Sequence, residues 1–168
     1  MTSATILLLA LTGQRLAELA WARSNTTRLI ARGALELAPG HYPLIVAFHA
    51  AWLAGLWLMG RDQPIWTPAA AAFATLQGLR LWVLATLGRR WTTRILVVPG
   101  ESLVKRGPYR LFRHPNYMIV AAEIAVAPLA LHMPGYAAVA SVIHAGVLAI
   151  RIREENMALA SFTRVNTV

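Results

Sequence analysis

The run from Tyr42 to Gly60 contains no Asp, Glu, Lys or Arg. A helix needs about 20 predominantly apolar residues to cross the hydrocarbon core of a bilayer, and this run supplies them without a break. Four more apolar segments accompany it: about Ala4 to Trp21, Ile65 to Gly88 (only Arg80), Tyr117 to Leu131 (only Glu123) and Gly135 to Ile150 (no formal charge). Hydrophobic residues make up 57% of the chain and charged residues 14%, against about 45–50% and roughly 25% in soluble domains. Too little polar surface exists to cover a soluble core, so the expected class is an all-α integral membrane protein. About five transmembrane helices are expected, in a single domain over residues 1–168. The two last segments are short for a span. Either the bilayer thins around them, or they extend into their flanks, or they form a tight hairpin through His132-Met133-Pro134-Gly135.

The net charge of +9 is distributed unevenly. With the N-terminus outside, every Lys and Arg except Arg15, Arg61 and Arg80 falls on an inside segment. The positive-inside rule favours that orientation. The basic residues alternate with long apolar runs, which fits loops facing anionic lipid better than a nucleic-acid surface. A first segment lying on the surface would leave the other faces unchanged. The absence of cysteine excludes disulfides, thiolate-bound zinc and cysteine nucleophiles. Met1 to Thr5 carries no basic residue, so no cleaved signal peptide is expected.

The longest inside region, Arg89 to Asn116, carries most of the chemistry. Trp91 to Val98 is β-branched and apolar and ends at Pro99-Gly100. An extended stretch closed by a turn is expected there, packed on protein at the interface because unpaired strand backbone cannot face lipid. Lys105 to Tyr117 is the densest polar cluster. Gly107-Pro108 marks a turn, and Pro115 biases His114 away from helical geometry, so a helix is expected to start at Pro115. Such a start presents free N–H groups to an anionic group, and Tyr109 or Tyr117 offers a face to a cation. Taken alone, the cluster reads equally well as a basic loop anchored to lipid. A second polar cluster, Arg151 to Asn156, sits where the fifth segment leaves the membrane, on the same expected side. Arg151 and Glu155 share a helix face there.

These two clusters carry a resemblance. Gly107-Pro108-Tyr109-Arg110-Leu111-Phe112-Arg113-His114-Pro115-Asn116-Tyr117 resembles the Gly-x-Tyr-x-x-x-Arg-His-Pro-x-Tyr signature of isoprenylcysteine carboxyl methyltransferases. Arg151-Ile152-x-x-Glu155-x-x-x-Leu159 resembles that family's closing motif, with Asn156 in place of its second glutamate. The likeness covers about Leu103 to Leu159. Arg15-x-x-Glu18 and His41-Tyr42-Pro43 are similar to a bacterial branch associated with type III polyketide synthases. The resemblance implies S-adenosylmethionine as cofactor and a cofactor-binding half over about 89–160. It implies a cofactor cradle of Glu101, Ser102, Leu103, Val104, Tyr109, His114, Pro115, Asn116, Tyr117 and Glu155. It implies Arg151 as the residue holding the acceptor's oxygen or carboxylate. The implied acceptor is lipid-like: an alkylresorcinol or alkylpyrone hydroxyl, or a prenylcysteine carboxylate. The implied location is a bacterial inner membrane with the active site cytosolic. A carboxylate acceptor needs no base, whereas a phenol or enol does, and Glu123 and His114 are the candidates. The rival from another class is a non-catalytic membrane scaffold or transporter subunit whose basic loops bind lipid.

Other polar residues lie inside the apolar segments. Ionisable groups there are costly and mark paired or functional sites. Glu123 is read either as catalytic, accepting a proton or balancing the sulfonium, or as a structural partner of Arg80 or His144. Arg15 and Glu18, three apart, are expected to neutralise each other. His49 and His144 are expected to bond between helices. No set of histidines and carboxylates has metal-ligand spacing.

Overall fold

The computed structural model describes residues 1–101 and 104–165, with side chains described as far as Ala160. Five α-helices account for most of it: α1 (Ser3–Ala31), α2 (Tyr42–Gly60), α3 (Thr67–Leu87), α4 (Pro115–Ala130) and α5 (Pro134–Val165). Three helical stretches are long and apolar enough to cross a membrane: Pro39–Gly60, Thr67–Arg90 and Pro134–Ala160. α4 is apolar but shorter. Their outer faces are apolar too. Leu58 on α2, Leu81 on α3 and Val142 on α5 are 82%, 62% and 75% exposed. Large apolar side chains facing outward on several helices fit a hydrocarbon surround rather than water.

Local chemistry explains the helix ends. Thr2 caps α1, its hydroxyl accepting from the Thr5 N–H at 3.1 Å, which satisfies one of the orphan donors of the first turn. α1 outruns the expected segment by ten residues because neither proline nor glycine interrupts between Gly13 and Gly33. α5 likewise continues past Ile150 as a charged helix. Length resolves the question of the short fifth segment by extension into its flank. Proline opens α4 at Pro115 and α5 at Pro134, where a missing N–H costs nothing. The turn between α4 and α5 is the tight hairpin expected at His132 to Gly135.

The expected extended stretch exists and has a partner. β2 (Leu96–Val97) pairs antiparallel with β1 (Leu35–Glu36), with Leu35 opposite Val97 and Glu36 opposite Leu96. The Leu37 N–H adds a bond to the Ile95 carbonyl at 2.9 Å. The link between α1 and α2 thus supplies the backbone partners that the segment after α3 requires.

Packing divides the bundle into two ends. Thr2 bonds the Arg61 carbonyl at 2.7 Å, and the Trp66 N–H bonds the Ala130 carbonyl at 2.9 Å. The N-terminus, the α2–α3 loop and the α4–α5 turn therefore share one end. The β pair, residues 88–101 and 104–114, and the outgoing part of α5 share the other. The main core joins all five helices near the first end: Leu8 and Leu11 of α1, Leu56 of α2, Phe73 of α3, Ile124 of α4 and Ala140 of α5 are all buried. α1 is a member of this bundle and not a separate surface helix. Gly55 admits Tyr136, whose hydroxyl would lie 2.2 Å from an added Cβ and donates to the Trp52 carbonyl at 2.9 Å.

Halfway along the bundle lies a buried ionic cluster. Arg80, 5% exposed, reaches both oxygens of Glu18 at 2.6 Å and Glu123 at 3.1 Å. Arg15 reaches Glu18 at 3.1 Å and Glu123 at 2.5 Å. Gln14 and Gln77 each donate to one of the carboxylates. Two cations and two anions balance, and α1, α3 and α4 are tied together. Removing one partner of a buried pair leaves an uncompensated charge at a cost of about 3–5 kcal/mol. Arg80→Met is therefore expected to lower the thermal unfolding temperature in detergent markedly; an unchanged temperature would contradict the structural role of the cluster.

Candidate active site

The Gly107-to-Tyr117 motif is held against α3 by its glycine. Gly107 has φ +55, and a Cβ there would lie 2.7 Å from the Thr86 hydroxyl, so any other residue meets both strain and a clash. Arg106 donates to the Thr86 carbonyl at 3.3 Å. The chain then makes a 3-10 turn over Gly107–Arg110 and reaches Pro115, the first residue of α4. This route delivers His114, Asn116 and Tyr117 to the inner side of the basic end.

There the two motifs meet. Tyr117 donates its hydroxyl to Glu155 at 2.5 Å and accepts from Arg151 Nε at 3.0 Å. The Arg151 guanidinium also lies 5.8 Å from the centre of the Tyr117 ring. The imidazole of His114 stacks on the same ring, 5.2 Å between centres and 10° between planes. Arg151 is buried, and its Nη1 lies 2.8 Å from His41 Nε2. A guanidinium only donates, so His41 Nε2 accepts. Residues from the α1–α2 link, the start of α4 and the exit of α5 thereby form one hydrogen-bonded chain, His41–Arg151–Tyr117–Glu155. Tyr109 stands nearby; burial, followed by the Glu155 charge, pushes its hydroxyl up to about 12, so it remains a neutral donor at physiological pH.

Apart from His41, these groups line a cavity of about 1000 Å³ that runs from the buried ionic cluster to the basic end. Arg151, Glu101, Val104, Tyr109, His114, Asn116, Tyr117 and Glu155 all reach it. Glu101 sits at its wall, ion-paired with Arg32 and Arg90. Ser102 and Leu103 lie outside the described residues. Pro115 does not line the cavity; it is buried as the opening residue of α4. Glu123 does not line it either. Its side chain is 0% exposed and held by Arg15, Arg80 and Gln77. Of the two readings of Glu123, the pair with Arg80 is the one the fold forms. Its carboxylate is enclosed by those three partners. Arg15 and Glu18 do pair, but as half of a four-charge cluster.

Two contributors escaped the sequence reading as site residues. His41 was visible as a lone imidazole just before an uncharged run, but its partner lies 110 residues away. Asn25 is fully buried and bonds the Trp91 carbonyl at 2.9 Å and the Gly88 carbonyl at 3.3 Å. It fixes the cavity wall after α3 to the extended part of α1. The ring of Trp21 adds a contact to Trp91 at 5.4 Å.

Comparison with known proteins accords with this geometry. Residues 69–161 match the profile of the isoprenylcysteine carboxyl methyltransferase (ICMT) family. A curated relative, "Uncharacterized protein YpbQ" of Bacillus subtilis (strain 168), is 39% identical over 163 residues, which cover 94% of this chain and 97% of that protein. No solved structure matches the chain. The matched region takes in α3, both polar motifs and the cavity walls they build, and on this evidence the chain belongs to the isoprenylcysteine carboxyl methyltransferase family of membrane methyltransferases.

Proposed function

We propose that this protein transfers a methyl group from S-adenosylmethionine to an oxygen of a lipid-like acceptor at the cytosolic face of a bacterial inner membrane. The acceptor oxygen is an alkylresorcinol or alkylpyrone hydroxyl, or a prenylcysteine carboxylate. The observation that carries this reading is the contact of Tyr117 with both Glu155 and Arg151 on a single cavity wall.

The residues present suit the cofactor. Glu155 is an anion at the cavity, able to accept from an ammonium or from ribose hydroxyls. The buried Asn116 Oδ1 has no hydrogen-bond partner among the described residues, and a bound amino or hydroxyl group would satisfy it. His114, Tyr117 and Tyr109 offer aromatic surface and Tyr109 a neutral donor. When bound, the cofactor supplies an electrophilic methyl carbon on a sulfonium leaving group. The protein's own task is then alignment and exclusion of water, which is worth several kcal/mol when the reacting atoms are held in line. Arg151, already buried and directed by His41 and Tyr117, orients the acceptor oxygen or carboxylate. Charge supports the orientation with the N-terminus outside: the end that carries the cavity mouth also carries all the Lys and Arg except Arg15, Arg61 and Arg80. That rim also suits anionic headgroups. The apolar helix faces around the cavity suit sideways entry of a lipid tail.

Two substitutions test the cofactor site. Glu155→Ala, if folded in detergent, is expected to lose binding of labelled S-adenosylmethionine; full binding by the folded variant would contradict the assignment. Tyr117→Phe removes two hydrogen bonds to charged groups, each worth about 1.5–3 kcal/mol. Its cofactor affinity is expected to fall by at least tenfold in equilibrium dialysis, and unchanged affinity would remove Tyr117 from the site.

A further inference from the structure

His41 lies outside the region matched to the family, yet several backbone devices place it. The Leu37 N–H bonds the Ile95 carbonyl at 2.9 Å, which fixes the end of β1. Ala38 then takes the left-handed conformation, φ 47 and ψ 57. That is uncommon for a residue with a Cβ and persists only where the surroundings hold it. Pro39 opens a single 3-10 turn, Pro39–His41, that runs directly into α2. His41 is thus held between a strand pair and a helix, and it is buried. There it meets Arg151. Because Arg151 Nη1 donates to His41 Nε2 at 2.8 Å, Nε2 uses its lone pair and the hydrogen of the neutral ring lies on Nδ1, itself buried. Arg151 Nε donates separately to the Tyr117 hydroxyl at 3.0 Å. Two anchors on different atoms fix the orientation of a planar guanidinium, whereas one leaves it free to turn about that bond. Nη2 has no hydrogen-bond partner among the described residues, and Arg151 lines the cavity.

We propose that His41 is a positioning residue for the acceptor: as a neutral imidazole it holds Arg151 in the orientation that receives the acceptor oxygen, and a second proton on the ring releases it. The proposal rests on the methyl-transfer reading above, in which Arg151 orients that oxygen. His41 does not line the cavity, so it acts through Arg151 and takes no part in the transfer itself. An imidazolium has no lone pair, and both of its nitrogens donate. A second proton on His41 therefore sets donor against donor and cation against cation at hydrogen-bond distance. The charged groups that act on the ring are Arg151, Glu154 and Glu155, all from α5. Glu155 is engaged by Tyr117, and neither carboxylate hydrogen-bonds the imidazole among the described residues. Tyr42, next in the chain, bonds Thr93 and lies under Arg94. Glu155 and Asn116, assigned to the cofactor, do not bond His41, so the acceptor is the ligand that its loss affects.

The test uses the full chain in detergent. Nuclear magnetic resonance of nitrogen-15 histidine, with the His41 signals identified by their loss in His41→Gln, reads the ring without cofactor or acceptor. At about pH 8 the ring is expected to be neutral with its hydrogen on Nδ1, and Arg151→Met to release it to the mixed tautomers of a free imidazole. A hydrogen on Nε2 in the wild type, or a ring unchanged by Arg151→Met, would overturn the proposal. Kinetics with S-adenosylmethionine then use two acceptor probes, a long-chain alkylresorcinol and a farnesylated cysteine, whichever is methylated. His41→Leu is expected to raise the acceptor KM about tenfold or more, while affinity for labelled S-adenosylmethionine stays within about threefold. His41→Gln, whose amide oxygen replaces the Nε2 lone pair, is expected to recover most of that loss. From about pH 8 to about pH 5, which brackets the ordinary imidazole pKa, the wild-type KM is expected to rise relative to that of His41→Gln, which has no ring to protonate. A merely structural role would weaken cofactor and acceptor binding together. Equal losses in the Gln and Leu variants, or parallel pH profiles in wild type and His41→Gln, would overturn the proposal. Failure of the wild type to bind labelled S-adenosylmethionine, or to methylate either probe, would instead remove the methyl-transfer reading; the ring measurement needs neither and still decides the pairing with Arg151.

Discussion

Four charges in an apolar bundle set the terms for everything else in this fold. Carrying an arginine or a glutamate out of water costs several kcal/mol, and mutual attraction offsets that only where each charge meets well-placed partners. Arg15, Glu18, Arg80 and Glu123 meet the condition together and in no smaller subset: Glu18 takes both nitrogens of Arg80, and Glu123 is shared by Arg80 and Arg15. The cluster therefore fixes α1, α3 and α4 in register. Any slide of one helix by a turn would strand a charge in the hydrocarbon region. With that register fixed, the core packs toward one end and the cavity opens toward the other.

The open end is shaped by smaller devices of the same kind. Asn25 on the long α1 pins the backbone after α3, and the β1–β2 pair covers the remaining backbone groups of that segment. Gly107 lets the following motif press against Thr86. The result is that Tyr117 arrives beside Arg151 and Glu155. One cavity thus has a charged end at Tyr117, Arg151 and Glu155 and a polar inner end at the ionic cluster.

Local physics made much of this legible before the structure. α2 runs from Tyr42 to Gly60 as the uncharged run does, α4 begins at Pro115, and a short strand, Leu96–Val97, forms within the stretch expected to be extended. The cofactor cradle came from the family resemblance and not from local pattern: eight of its ten residues are described with side chains, and seven of these line the cavity, Pro115 being the exception. What stayed hidden depended on distant parts of the chain. Helix continuation past Trp21 and Ile150 is permitted by the absence of breakers, but hydropathy falls there and a membrane reading stops too soon. The bond from Arg151 to His41 and the capture of Glu123 by Arg15 join residues 110 and 108 positions apart, which no local pattern encodes. A buried carboxylate in an apolar helix is equally a candidate base and a candidate partner until the helix facing it is known.

The account stands on the closing of the α4 entrance and the α5 exit around one cofactor molecule. The most direct measurement is an experimental structure of the protein in a lipid nanodisc with S-adenosylhomocysteine. The account requires density for the nucleoside inside the cavity, in contact with Tyr117 and Glu155 at the basic end. Density at any other place, or a Tyr117 and Glu155 too far apart to touch the same molecule, would contradict it.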